Sequence, residues 1–331
     1  MPSRHITLSI VVPAFNEEAV IREAHHRLVD ALGGLPEITM EVVYVDDGSR
    51  DGTRAILREL AQSDSRVRYI GLSRNFGHQP AVSAGLEVAS GDVVAVIDAD
   101  LQDPPEVILE MLDLWRQGND VIYGVRTARK EGFFKRFAYN VFYRVWKYAA
   151  DISVPLDAGD FCLMDRQVVD VLRNLPENGR FIRGLRAWVG FRQVGLRYQR
   201  HARFAGETKY PFLKLVKLGS DGIFNFSLLP LKLISVSGGV IFLSSLLAIV
   251  VLALARLANI NVMGHALDEV PGYTSIVLLL LLLSGLNMLF LGVIGEYLGR
   301  LYTETKRRPT FVIAEDSARR TPTRGESDQS R

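Results

Sequence analysis

Residues 93–106 read VVAVIDADLQDPPE. Five apolar residues, Val93 to Ile97, give way to Asp98, Asp100, Gln102 and Asp103, and Pro104-Pro105 open a helical pattern. An apolar run this short, with no polar face, is the pattern of a strand covered on both sides. Working outward, similar runs stand at 6–12, 40–45, 67–72, 92–97 and 120–125, with amphipathic helical stretches between them. That alternation predicts an α/β domain with a doubly wound, mainly parallel sheet and a ligand at the carboxyl ends of the strands. Polar clusters lie at those ends, at 13–18, 46–49, 73–77 and 98–103.

The chemistry-bearing residues are mostly carboxylates. In extended chain, residues two apart point the same way, so Asp98, Asp100 and Gln102 are expected to converge on one hard cation, Mg²⁺ or Mn²⁺. The alternative is that the two acids only cap the loop before the Pro104-Pro105 helix start. Asp46 and Asp47 follow the second run directly and are acceptors suited to a base and ribose. Gly48 permits a tight turn there, and Asp51 is an expected helix N-cap. Pro13, Asn16 and Glu17 leave the first run in the same way. No G-x-G-x-x-G, P-loop, H-E-x-x-H or G-x-S-x-G motif is present, which removes dehydrogenases, P-loop NTPases, zinc proteases and α/β-hydrolases.

Composition adds a membrane. The 331 residues carry 39 Lys+Arg against 37 Asp+Glu, a net charge of +2, so a basic nucleic-acid binder is not expected. The single cysteine, Cys162, excludes an internal disulfide or a Cys-rich metal site. With 23% of residues charged, 48% hydrophobic is high, and the excess lies in two charge-free runs, 233–255 and 273–295. Each would extend roughly 34 Å as a helix, enough to cross a bilayer core. Lys214, Lys217 and Lys232 precede the first run, and Arg300, Lys306, Arg307 and Arg308 follow the second. The positive-inside rule then places both termini in the cytoplasm, with no signal peptide expected at the start. The expected division is a catalytic domain at 1–210, a juxtamembrane amphipathic segment at 211–232, transmembrane helices at 233–255 and 273–295, and an extracytoplasmic loop at 256–272. A cytoplasmic tail, 296–331, is read as disordered from residue 315 onward. Residues 132–150 mix Lys135, Arg136, Arg144 and Lys147 with aromatics, as an interface helix does. The pair His25-His26 is read as surface.

Taken together, PAFNEE (13–18), VDDGS (45–49), SRNFG (73–77), DADLQDPPE (98–106), DAGDFCLMDR (157–166) and RFAGETKYPF (203–212) resemble a family 2 glycosyltransferase of the GT-A fold. With two C-terminal spans, the pattern is similar to the polyprenyl-phosphate glycosyltransferases, which include bactoprenol glucosyltransferases and dolichol-phosphate mannose synthases. The resemblance implies that Pro13, Asn16, Glu17, Asp46 and Asp98 hold the nucleotide sugar. It implies that Asp98, Asp100 and Gln102 hold the divalent metal. Asp157 is then the carboxylate proposed as catalytic base, and Arg126, Arg203 and Lys209 meet phosphates. The implied reaction is inverting hexose transfer, UDP-glucose favoured as donor, to undecaprenyl or another polyprenyl phosphate at the cytoplasmic membrane face. A homo-oligomer, a tetramer by resemblance, also follows; the small-xxx-small pair Gly295 and Gly299 is compatible with helix association. GDP-mannose, UDP-galactose and a UDP-aminoarabinose derivative stay open as donors. A processive polysaccharide synthase and a non-catalytic membrane scaffold are the competing functions. The first is disfavoured because RGLRAW (183–188) lacks the Gln and the Arg-Trp adjacency of such synthases.

Overall fold

The computed structural model describes residues 5–126, 158–177, 180–200 and 273–318, together with 231, 233–234, 236–241, 243–244, 247, 250 and 254. The first apolar run is β1 (Ile6–Ala14), fully paired in parallel with β2 (Ile38–Asp46). Parallel pairing continues to β3 (Val67–Leu72) on one side and to β4 (Val93–Val96) on the other side of β1. The chain therefore runs β1, β2, β3 in one direction and returns across β1 for β4, which makes the gap between β1 and β4 the switch point where ligands bind.

Four more strands complete an eight-stranded sheet of order β7-β5-β6-β4-β1-β2-β3-β8. They are β5 (Val121–Arg126), β6 (Ala158–Asp165), β7 (Gln193–Tyr198) and β8 (Ile313–Asp316). Six of the eight strands run the same way, so the sheet is mainly parallel as expected, with two strands reversed. β6 is antiparallel to both β4 and β5, and β8 is antiparallel to β3, so the sheet is mixed. A strand's own apolar pattern carries no direction, which is why periodicity alone did not distinguish the two.

Helices cover the sheet, three of them through one apolar stripe each. α1 (Ile21–Leu32) buries Ile21, Ala24, Leu28 and Leu32, at helical spacing. α2 (Thr53–Ser63) buries Leu57 and Leu60, and α4 (Val107–Arg116) buries Val107, Ile108, Met111 and Leu112. α3 (His78–Val88) buries an unbroken run from Ala81 to Leu86. Two shorter helices, α5 (Arg166–Asn174) and α6 (Ile182–Trp188), follow β6. One core joins Leu8, Ile10 and Val12 of β1 to Tyr44, Leu57 and Ile108. Cys162 is buried in β6, as a small packed side chain. His25 is not surface: its Nδ1 lies 3.2 Å from the Tyr44 hydroxyl and its Nε2 3.4 Å from Asp64. His26 alone is exposed.

The start of the stretch read as disordered, 315–318, is instead ordered, and 319–331 lie outside the described residues. Residues 313–316 form β8, and Ser317 hydrogen-bonds Tyr69, donating from its backbone and accepting at Oγ, both at 2.9 Å. β8 belongs with the sheet in one compact unit, and Val216–Arg307 falls in a second. In that second unit, α7 (Tyr273–Thr305) covers the expected second span and continues ten residues past it. Ile276, Leu279, Leu280, Met288 and Leu289 are exposed on α7, while the side chains at several of its other apolar positions lie outside the described residues. Among the described residues, no helix is long and apolar enough to cross a membrane. Ten of the 23 residues of 233–255, and all of 132–150, 211–230 and 256–272, lie outside the described residues.

Candidate active site

The loops that leave β1, β2 and β3 are tied to one another. The Asn16 N–H donates to Ser49 Oγ at 2.9 Å, and Asn16 Oδ1 accepts the Arg50 N–H at 2.9 Å. The Glu17 N–H donates to Thr53 Oγ1 at 2.8 Å, and Glu18 accepts the Gly52 N–H at 2.8 Å. Asn16 takes a left-handed φ of 56°, a conformation Asn tolerates better than most residues. Pro13 is buried in β1 opposite Val45, and Ala14 pairs with Asp46. Pro13, Asn16, Glu17 and Asp46 are thus brought to one pair of loops.

Asp46 and Asp47 do different work within that frame. Asp46 is fully buried, with Oδ1 accepting the Ser49 N–H at 2.9 Å and Oδ2 accepting Arg54 Nε at 2.8 Å. Asp47 accepts the N–H groups of Phe76 and Gly77, at 2.7 and 2.9 Å, and so fixes the SRNFG loop. Burial pushes the Asp47 carboxyl up, and those two backbone donors offset it in part. Gly48 has φ +72°, and a Cβ on it would stand 2.5 Å from the Arg74 carbonyl carbon. Only glycine allows the two loops to approach this closely. Asp51 sits one residue before the α2 N-cap, Gly52, and accepts the N–H of Thr53 at 3.1 Å.

The D-x-D loop is a turn, not extended chain. β4 stops at Val96, and Leu101 takes φ 60°. The alternating-face argument therefore fails for Asp98, Asp100 and Gln102, although all three remain in the loop at the switch point. Each acid instead meets a basic side chain of the protein. His78 Nε2 lies 2.9 Å from Asp98 Oδ1, and His78 Nδ1 is 3.9 Å from Asp160, which in turn lies 3.0 Å from Arg183 Nε. Burial works against the charged imidazole, but the Asp98 hydrogen bond and the nearby acids outweigh it and raise the His78 pKa. For Asp98 burial works upward, and His78, Arg200 and Arg126 outweigh it and lower the pKa. Asp100 Oδ1 accepts the Gln102 N–H at 3.1 Å, and its Oδ2 is 3.7 Å from Arg200 Nη2.

Beneath the turn, Asp103 is almost wholly buried. Tyr198 donates its hydroxyl to Asp103 Oδ1 at 2.5 Å, and Arg200 Nε donates to the same oxygen at 3.1 Å, while Oδ2 has no hydrogen-bond partner among the described residues. Burial pushes the Asp103 carboxyl up despite those two donors. Arg126, at the end of β5, hydrogen-bonds Tyr198 and has a buried Nε with no hydrogen-bond partner among the described residues. An unpartnered buried guanidinium nitrogen beside a carboxylate loop suits a bound polyanion.

Two carboxylates and an amide within five residues are all-oxygen donors, which fit Mg²⁺ or Mn²⁺ completed by water and phosphate oxygens. Among the described residues, no cluster of three or more His, Cys, Asp or Glu side chains is arranged to hold a metal ion. A metal here would therefore draw on ligands from its substrate. Asp157, Arg203 and Lys209 lie outside the described residues. The sequence reading passed over His78, Asp160, Arg183, Tyr198 and Arg200. His78 directly follows SRNFG, and Asp160 is the second acid of DAGDF, so proximity to quoted motifs was the available signal.

A doubly wound sheet with a D-x-D loop at its switch point, flanked by arginines, is the arrangement that the resemblance to a GT-A glycosyltransferase implies. Residues 9–173 match the model of glycosyl transferase family 2. The chain is 47% identical over 312 residues to the "uncharacterized glycosyltransferase YkcC" of Bacillus subtilis (strain 168), covering 94% of both chains. It is 38% identical over 307 residues to the "prophage bactoprenol glucosyl transferase homolog" of Escherichia coli (strain K12), covering 92% of this chain and 98% of that one. Among solved structures, a glucosyl-3-phosphoglycerate synthase from Mycobacterium tuberculosis is similar at 21% identity and TM-score 0.44, over 66% of this chain and 76% of that one. The chain belongs to glycosyl transferase family 2, and it is a glycosyltransferase.

Proposed function

We infer that this enzyme transfers a hexose, glucose from UDP-glucose, to the phosphate of undecaprenyl or a similar polyprenyl phosphate. The site observation that carries the reading is the cationic ring around the D-x-D turn. Arg126, whose Nε has no partner among the described residues, and Arg200 offer positive charge where a sugar diphosphate breaks, with the basic His78 beside them. The E. coli relative, bactoprenol glucosyl transferase homolog by name, supports the lipid acceptor and the glucose donor.

Asp98, Asp100 and Gln102 are the residues that would hold a Mg²⁺ or Mn²⁺ ion, whose chemistry is to neutralise charge on the leaving diphosphate. Arg126 stabilises the same developing charge through its guanidinium fork. Pro13, Asn16, Glu17 and Asp46 shape the loops that receive the nucleotide. The acceptor is a phosphate monoester, already anionic near neutral pH, so little general-base assistance is needed. Asp157 then orients the acceptor or takes a residual proton, and Arg203 and Lys209 hold its phosphate. Direct displacement inverts the anomeric carbon, giving a β-linked lipid product from an α-linked donor.

A lipid acceptor accounts for the two charge-free runs. In this reading 233–255 and 273–295 span the membrane, with the catalytic domain and both termini on the cytoplasmic face and copies associating as an oligomer. The test supplies membranes expressing the chain with undecaprenyl phosphate, Mn²⁺ and labelled UDP-glucose, UDP-galactose, GDP-mannose or UDP-aminoarabinose in turn. Label entering the organic phase from UDP-glucose alone supports the reading; label from another donor replaces glucose with that sugar. No label from any donor refutes lipid glycosylation.

A further inference from the structure

The D-x-D turn and Arg200 share their electrostatics unequally. Arg200 Nε is held at 3.1 Å by Asp103, a carboxylate whose side chain is 1% exposed. Its Nη2 stands farther off, 3.7 Å from Asp100 Oδ2, where the Asp100 side chain is 13% exposed. One end of the guanidinium is thus anchored on a buried acid, and the other rests more loosely on Asp100. A guanidinium has five N–H groups in a rigid fork, so it can keep Asp103 while its outer nitrogens exchange one anion for another.

We propose that Arg200 competes with the divalent cation for Asp100, and that the donor diphosphate relieves the competition by giving the outer guanidinium nitrogens another anion. This rests on the reading of Asp98 and Asp100 as metal ligands. Two cations on one carboxylate repel, and at this partial burial the repulsion is screened less than at the surface. Metal alone therefore binds against Arg200, whereas metal with a nucleoside diphosphate binds with its help. Arg200 is a positioning residue that makes metal and donor enter together. The coupling is reciprocal: diphosphate tightens metal by the same factor as metal tightens diphosphate.

The opposite sign is expected if Arg200 only braces the turn. Losing a brace would disorder Asp100 and weaken metal binding, while losing a competitor strengthens it. Direct Mn²⁺ binding distinguishes them without relying on turnover. The full-length chain in detergent is titrated with Mn²⁺, alone and with saturating UDP, by calorimetry or by the paramagnetic resonance of free Mn²⁺. Arg200→Gln should bind Mn²⁺ alone about five- to tenfold more tightly than the parent, the scale of one partly buried ion pair. The gain in Mn²⁺ affinity on adding UDP should shrink by a similar factor. Arg200→Lys, which keeps the charge, should stay within about twofold of the parent for Mn²⁺ alone. Unchanged or weaker Mn²⁺ binding in Arg200→Gln overturns the proposal, as does an Arg200→Lys variant that behaves like Arg200→Gln. Asp100→Asn separates the two levels. If it binds Mn²⁺ as the parent does, the metal-ligand reading fails and takes the proposal with it. If it loses Mn²⁺ while Arg200→Gln shows no gain, only the Arg200 proposal fails.

Discussion

Arg68 and Asp316, 248 residues apart, form a two-pronged ion pair, Nε to Oδ1 at 3.1 Å and Nη2 to Oδ2 at 2.9 Å. It fastens β8 to β3, and a second pair beside it, Arg58 Nη2 with Glu315 Oε2 at 2.6 Å, fastens the neighbouring position to α2. The Asp316 side chain is 3% exposed, so its removal strands a half-buried guanidinium. Asp316→Ala should lower stability by about 2 kcal/mol, read as a fall in the melting temperature of the full chain. An unchanged melting temperature would mean that β8 adds nothing to the sheet.

Asp64 gives a pH dependence with a definite sign. Its hydrogen bonds from the Arg66 guanidinium hold its pKa at about 2, below the ordinary carboxylate value, despite partial burial. A depressed folded pKa contributes stability that is present above the unfolded value and lost as pH falls through the folded one. Asp64→Asn should therefore cost up to about 2 kcal/mol at pH 7. The difference from the parent should narrow as pH falls from about 4 towards 2. Denaturation at three pH values across that window reads it directly.

Gly48 tests the junction of the loops. Gly48→Ala puts a side chain at φ +72° and against the Arg74 backbone, at a cost of about 1–2 kcal/mol for the backbone alone. UDP affinity should fall together with stability, because the SRNFG loop must move. A destabilised variant with parental UDP affinity would separate this junction from the nucleotide site.

Arg126→Lys keeps a charge and loses the planar fork. If Arg126 stabilises the leaving diphosphate, kcat should fall about a hundredfold with a smaller change in donor KM. A change confined to KM would make Arg126 a ground-state contact only.

Much of the parallel half of the sheet could be read from the chain because each apolar run ends in an abrupt polar cluster, as Ile97 does before Asp98. β8 could not. IAED has one strongly apolar residue and gains its place from Arg58 and Arg68, partners that no local pattern reveals. The direction of β6 was equally hidden, since Phe161 to Met164 are apolar whichever way the strand runs. At the site, motif letters located Asp98 and Asp100 but misjudged their geometry, because Leu101 enters the left-handed region where an extended strand was assumed. His78 and Arg200 were missed for a related reason. Their roles come from carboxylates 20 and 100 residues away, not from their own neighbours in sequence.

The central claim is catalysis at the D-x-D turn on a lipid phosphate, and one reaction tests it most directly. Purified full-length protein is incubated with undecaprenyl phosphate, UDP-glucose and Mn²⁺, and the lipid is weighed by mass spectrometry while UDP is counted. The account predicts a lipid phosphate heavier by one hexose, matched one for one by released UDP. Product should vanish with EDTA and in a folded Asp100→Asn variant. Equal product from Asp100→Asn, or UDP released with no change in the lipid, would contradict it.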